Sequence, residues 1–163
     1  MADVVDAPAR SRMMSGIRGK DTRPEMTIRK ALHRMGFRYR LHSRKLPGKP
    51  DLVFPKLGAV IFVHGCFWHG HDCHLFKWPS SRMQFWREKI EGNRSRDAAS
   101  SERNVQAGWR VLTIWECAIK GRTRRNEAEV IEVVAKWLVT GTGNMELRGV
   151  EDGINHRPQR LDG

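Results

Sequence analysis

Cysteine is scarce in this chain. Its 163 residues contain three, too few and too odd a number for a disulfide framework, which points to a reducing compartment. Long apolar runs are absent as well. No segment approaches membrane-spanning length, and none has the basic start, apolar stretch and small-residue cleavage site of an export signal, so a cytoplasmic protein is expected. Acidic residues are the third shortage. Eighteen Asp and Glu stand against thirty Lys and Arg, a net charge of +12 with histidine neutral. That balance favours a polyanionic partner, nucleic acid ahead of an anionic membrane surface. Neither an internal repeat nor a second domain is evident, and 39% hydrophobic residues suffice for one ordinary core.

What the chain does have is concentrated between Gly58 and His74, GAVIFVHGCFWHGHDCH. Ala59 to Val63 reads as a buried strand, because β-branched and aromatic residues dominate it and Gly58 and Gly65 bound it. Directly after it come His64, Cys66, His69, His71, Asp72, Cys73 and His74, with Phe67 and Trp68 in their midst. No helical or strand periodicity accounts for that density of metal-binding and titratable groups, so a site at the end of a rigid strand is expected. Cys66, Cys73 and Cys117 with one histidine make a Cys3His set suited to structural Zn2+. Spacing leaves His69, His71 and His74 open as the fourth ligand.

Around this stretch the chain divides into a basic arm over residues 1–20 with Arg10, Arg12, Arg18 and Lys20, a folded domain over 21–139, and a flexible tail rich in glycine and charge over 140–163. Thr22-Arg23-Pro24-Glu25 has capping-box spacing, and Ile28, Ala31, Leu32 and Met35 then define one apolar helix face that Gly36 ends. The box is by itself a sufficient explanation of Glu25. Phe37–His42 and Asp51–Phe54 are expected strands, the second joined to Ala59–Val63 by a turn of hairpin length, which puts Asp51 and His64 at one sheet end. A carboxylate and an imidazole there, on a basic protein, suit a metal-assisted phosphodiesterase site. Helical spacing follows at Phe85, Trp86, Lys89 and Ile90, with the polar run to Gln106 continuing or restarting that helix. Arg110–Trp115 is a strand whose end lets Cys117 reach the Cys66 loop, and a last helix from Asn126 carries Val130, Val133, Val134 and Trp137 on one face.

Pro47-Gly48-x-Pro50-Asp51, Val60-Ile61-Phe62-x-His64-Gly65-Cys66-Phe67-Trp68-His69-x-His71-x-Cys73, Gly108-Trp109-Arg110-Val111-Leu112 and Trp115-Glu116-Cys117-Ala118 together resemble the very short patch repair endonuclease family, from about Ser11 to Leu138. The resemblance implies a restriction-endonuclease-like α/β fold with a mixed central sheet flanked by helices. It implies a Mg2+-dependent enzyme that nicks one strand of double-stranded DNA 5′ of the thymine in a T:G mismatch left by 5-methylcytosine deamination. Such an enzyme is expected to act as a monomer at the bacterial nucleoid, with a cytosine-5 DNA methyltransferase as functional partner and mismatch-repair proteins beside it.

The resemblance also implies roles. Asp51 and the main-chain carbonyl of Val63 bind Mg2+, His69 is the general base, Asp97 orients it, and His64 assists at the phosphate. Glu25 matches a family acid near the site. Cys66, His71, Cys73 and Cys117 hold Zn2+, Phe67, Trp68 and Trp86 wedge into the duplex, and the basic arm closes around it. Most relatives of the fold follow Pro-Asp with an acid-x-Lys triplet, whereas Phe62-Val63-His64 has no acid. The alternative is a zinc-stabilised DNA-binding module without catalysis, or a nuclease with another target. Joint presence of Asp51, His64, His69 and Asp97, which a pure binder does not need, separates the two.

Overall fold

The computed structural model describes residues 20–150, so Arg10, Arg12 and Arg18 of the expected arm lie outside the described residues. Thr22 caps helix α1 (Arg23–Arg34), its Oγ1 accepting from the Glu25 N–H at 3.4 Å, with proline in the first turn. Ile28, Ala31 and Leu32 are buried as their spacing requires. Met35 is 54% exposed because it is the C-cap, and Gly36 follows it in the left-handed region at φ +98°. The first strand, β1, is only Arg40–Leu41. Phe37 and Tyr39 turn onto Phe54 instead, edge to face at 6.3 and 5.6 Å, and His42 at φ +45° ends the extended run.

Strands β2 (Leu52–Phe54), β3 (Ala59–His64), β4 (Arg110–Trp115) and β5 (Met145–Leu147) complete a mixed five-stranded sheet in the order β1-β2-β3-β4-β5. Pairing is antiparallel from β1 to β3 and parallel from β3 to β5. Alternate side chains divide between the faces. Leu52, Phe54, Ala59, Ile61, Leu112 and Ile114 join Ile28 and Leu32 of α1 and Val130, Val134 and Leu138 of α3 (Glu127–Thr140) in the main core. Val53, Val60, Phe62 and Val111 form a smaller cluster on the other face. Helix α2 (Met83–Gln106), one uninterrupted helix of 24 residues, crosses there and is tied down by Asn104, whose amide donates to the Pro47 carbonyl at 2.9 Å. Two covered faces explain why these strands are apolar throughout rather than alternating with polar residues. Among the described residues no helix is long and apolar enough to cross a membrane.

Two expectations change here. Val133 is 40% exposed, and Ile131 takes the place assigned to it in the core. The stretch expected to be a flexible tail is ordered as far as it is described: residues 145–147 pair with β4 and Leu147 is buried. Three residues are too short to show a period, and the unpaired edge of β4 supplies the hydrogen bonds that order them.

Arg110 joins the sheet to the end of α3. Its Nη1 donates to the carbonyls of Trp137 and Gly141 at 2.8 and 3.0 Å, its Nη2 to those of Leu57 and Leu138 at 2.8 and 3.0 Å, and its guanidinium lies 4.7 Å from the centre of the Trp137 ring. Three of these carbonyls belong to the last turn and cap of α3, where a positive charge is of the favourable sign, and the fourth, that of Leu57, ends the 3-10 turn before β3. Arg110→Ala is expected to lower the unfolding free energy by roughly 2–4 kcal/mol in urea denaturation. Arg110→Lys should recover less than half of it, because an ammonium cannot span four acceptors. A fully stable Arg110→Ala protein would show that α3 needs no such cap.

Candidate active site and metal centre

Parallel pairing of β3 with β4 places His64 opposite Trp115, so the residues that follow each strand leave the same sheet end. Cys66 and Cys73 lie in the loop after β3, and Cys117 in the 3-10 turn Glu116–Ala118 after β4. The ligand atoms of Cys66, His71, Cys73 and Cys117 lie within 4.8 Å of one another, and all four residues are buried. The Cys117 N–H donates to Cys66 Sγ at 3.3 Å, the Gly149 N–H donates to Cys117 Sγ at 3.3 Å, and His71 Nδ1 lies 3.6 Å from Cys117 Sγ. Hydrogen bonds from the Cys66 and Cys73 thiols hold the Cys117 thiol far below its ordinary range, and the same contact pushes Cys66 far up. Burial works against a charged His71, but its bonds to Cys117 and Cys73 prevail and raise its pKa to about 9. Three sulfurs with one imidazole are a donor set that fits a tetrahedral metal ion. The two histidines that spacing left open alongside His71 go elsewhere. His69 Nδ1 is 2.5 Å from Asp97 Oδ2, and His74 Nε2 is 3.0 Å from Thr123 Oγ1.

Helix α2 holds the loop from the side. The Asn93 amide donates to the Trp68 carbonyl at 2.8 Å, and Arg94 donates to that of Gly70. Gly70 itself is at φ +60°, and a Cβ there would lie 2.6 Å from Ile90, so only glycine fits. The C-terminal segment closes the other side, with Arg148 donating to the Asp72 carboxylate at 3.0 Å and to its carbonyl at 2.9 Å.

Two groups of titratable residues flank the end of β3. On the α1 side, Asp51 Oδ2 accepts from the Val63 N–H at 2.7 Å. Burial raises the Asp51 pKa to about 8; the Val63 bond opposes the shift, and the contact of its side chain with Glu25 adds to it. Glu25 is 1% exposed. Its carboxylate accepts from Arg29 Nη1 at 2.7 Å, from the Asp21 N–H at 3.2 Å, and lies 2.9 Å from His42 Nε2. Thr22 therefore caps through the backbone of Glu25, while the Glu25 carboxylate stands beside Asp51. Sequence reasoning missed Arg29 and His42. The i,i+4 spacing of Glu25 and Arg29 was a usable signal; nothing marked His42.

On the α2 side, the His64 and His69 rings stack at 3.8 Å and 3°, and Trp115 meets His64 edge-on at 5.3 Å. Burial, then the neighbouring His69, lowers the His64 pKa to about 3, so His64 stays neutral at any working pH. With Nδ1 engaged by Asp97, His69 has Nε2 left for a proton. A cleft of about 530 Å3 lined by Phe62, His64, Asp97, Ser100 and Trp115 adjoins these rings. Beyond them Phe67, Trp68 and Trp86 pack on one another at centroid distances of 5.3–5.9 Å, each half-buried. Lys20 is exposed.

A family model described as DNA mismatch endonuclease Vsr matches residues 2–75. Type II nicking enzyme V.XorIIP of Xanthomonas oryzae pv. oryzae is 46% identical over 119 residues, 73% of this chain and 88% of that one. DNA mismatch endonuclease Vsr of Escherichia coli (strain K12) is 43% identical over 138 residues, 85% of this chain and 88% of its own. Type II nicking enzyme V.NmeAIP of Neisseria meningitidis is 41% identical over 122 residues, 75% and 87% of the two chains.

Cys117→Ser is expected to lower both the bound metal found by elemental analysis and the melting temperature, since site formation and folding are linked. His69→Ala should keep its metal; loss of metal from that variant would overturn the division of the histidines. Asp51 offers a test by pH. Its folded pKa of about 8 lies above the ordinary 3.8, so between these values the folded state holds a proton that the unfolded state releases, and stability falls as pH rises through that window. Without added divalent cation, Asp51→Asn should melt above wild type at pH 8 and converge with it near pH 4. Parallel melting curves at both pH values would contradict the buried acid pair.

Proposed function

This chain belongs to the Vsr family of DNA mismatch endonucleases, and from that we propose how its own residues carry out a nick at a T:G mismatch to begin very short patch repair. The observation that carries the reading is the placement of the Asp51–Glu25 pair and the His64–His69–Asp97 group on the two sides of the end of β3. A net charge of +12 supports duplex DNA as the substrate.

Mg2+ held by Asp51 and the Val63 carbonyl would offset charge building on the phosphate. His69 takes a proton at Nε2 from the attacking water, while Asp97 fixes its tautomer through Nδ1 and steadies the imidazolium. The water oxygen bonds to phosphorus as the bond to the 3′ oxygen breaks, and that oxygen takes a proton from solvent water, leaving a 5′-phosphate and a 3′-hydroxyl. Neutral His64 donates a hydrogen bond to the phosphate, which an imidazole can do without carrying charge. Glu25 orients water beside Asp51. Cys66, His71, Cys73 and Cys117 hold structural Zn2+, which fixes the loop carrying His69. Phe67, Trp68 and Trp86 wedge into the duplex, where a mismatched step resists least. Arg10, Arg12, Arg18 and Lys20 follow the phosphates.

The finer assignments belong to the same reading: a restriction-endonuclease-like topology, cleavage of one strand only, a monomer in the bacterial cytoplasm near the nucleoid, and functional ties to a cytosine-5 DNA methyltransferase and mismatch-repair proteins.

The test is a single-turnover assay with Mg2+ on duplexes that differ only in one T:G pair and its neighbours. Asp51→Ala and His69→Ala should each slow nicking about 10²–10⁴-fold with DNA binding retained. Trp68→Ala should weaken binding to the T:G duplex more than to the paired one. If wild-type protein cuts no T:G duplex in any flanking sequence, a DNA-binding module without catalysis takes over.

A further inference from the structure

The aromatic cluster does not stop at the three rings of the wedge. Phe76 stacks on Phe67 at 5.9 Å, and Trp78 meets Phe76 edge-on at 4.9 Å. Phe85 meets Trp86 at 5.2 Å. At this far end the rings are open to solvent, Trp78 and Phe85 each 41% exposed. Each carries a guanidinium. Arg82 lies 4.4 Å over Phe85, and Arg87 lies 5.9 Å from the centre of Trp78. Among the described residues neither arginine meets a carboxylate. A guanidinium laid on a ring keeps its N–H fork at the edge, oriented and available for a bidentate acceptor.

We infer that Trp78, Phe85, Arg82 and Arg87 form a second DNA contact that grips the sugar-phosphate backbone on one side of the mismatch. The inference rests on Phe67 and Trp68 entering the duplex as proposed above. Planar aromatics beside fixed guanidinium groups suit deoxyribose and phosphate, whose charge is opposite to theirs. The ring steps of 5.9 and 4.9 Å put Trp78 no more than about 11 Å from Phe67, which is about three base-pair steps of duplex at 3.4 Å each. The contact therefore has an expected address, within about three nucleotides of the wedged step, on one flank only. It carries no sequence preference, because phosphate and sugar are the same at every base pair.

The experiment measures binding of the full-length, metal-loaded protein to T:G and fully paired duplexes. Each phosphate in turn, from one to six positions on either side of the mismatch, is replaced by an uncharged methylphosphonate. Wild type should lose about three- to tenfold in affinity at one or two phosphates within about three steps on one side. Arg82→Ala with Arg87→Ala should lose a similar factor on unmodified DNA, lower the salt slope by about 1.5–2, and be indifferent to methylphosphonate at those positions. Trp78→Ala should weaken binding to paired and mismatched duplexes alike, unlike Trp68→Ala. Metal content and melting temperature equal to wild type identify properly folded variants, and Arg87→Lys, which keeps charge but not the stacked fork, should recover only part of the loss. Wild-type affinity in the double arginine variant overturns the contact, as does an unchanged methylphosphonate profile. A wild-type protein that does not prefer T:G duplexes overturns the wedge reading instead, which separates the two failures.

Discussion

The parallel register of β3 on β4 is the constraint from which the functional end of this molecule follows. With His64 opposite Trp115, the two chains leave the sheet side by side, and Cys66 and Cys117 meet although 51 residues separate them in sequence. A slip of one residue would turn Val60 and Phe62 toward α1 and α3, Ile61 toward α2, and His64 away from Asp97. The same pleat that sorts the core into two faces therefore sorts the chemistry, with Asp51 and Glu25 on one side of β3 and His64, His69 and Asp97 on the other. Backbone hydrogen bonds and apolar burial set the register, and the polar groups inherit their places from it.

How much of this was legible depended on whether the signal was local. The strand before the histidine loop, Arg110–Trp115 and the N-terminus of α1 could be read because composition, turn residues and caps act within a few positions. The hairpin of β2 and β3 was legible from the short turn at Gly58. Long-range pairing was not. Nothing in the spacing of Cys66, His71 and Cys73 chose among three histidines until the fold brought Trp115 under His71, stacked at 4.0 Å. β5 was missed because its order comes from the edge of β4 rather than from its own side chains. The capping spacing at Glu25 is real, but Thr22 uses the backbone of Glu25, and the carboxylate goes to Arg29, the Asp21 N–H and His42 beside Asp51.

Charge is handled differently at the two ends of the site. Around Glu25, burial of a carboxylate is offset by Arg29 and by His42, with Asp21 as a further partner for Arg29. Around His64 the solution is neutrality, since its imidazole is kept uncharged by burial and by a parallel neighbour. A buried Asp51 of raised proton affinity beside a neutral His64 is an arrangement that gains from an incoming cation, which would take the place of the proton.

Gly149 closes the Cys66–His71–Cys73–Cys117 cluster from the far end of the described chain. Its N–H reaches Cys117 Sγ, and a Cβ on it would lie 2.5–2.7 Å from Thr123 Oγ1, Cys117 O and Thr123 O. The segment that carries it also forms the last strand of the sheet and pairs Arg148 with Asp72 of the histidine loop. Opening the centre consequently means peeling β5, and peeling β5 uncovers the centre. In hydrogen-exchange terms the amides of 145–150 and of 66–73 should open together, with a common response to any ion added to the four ligands.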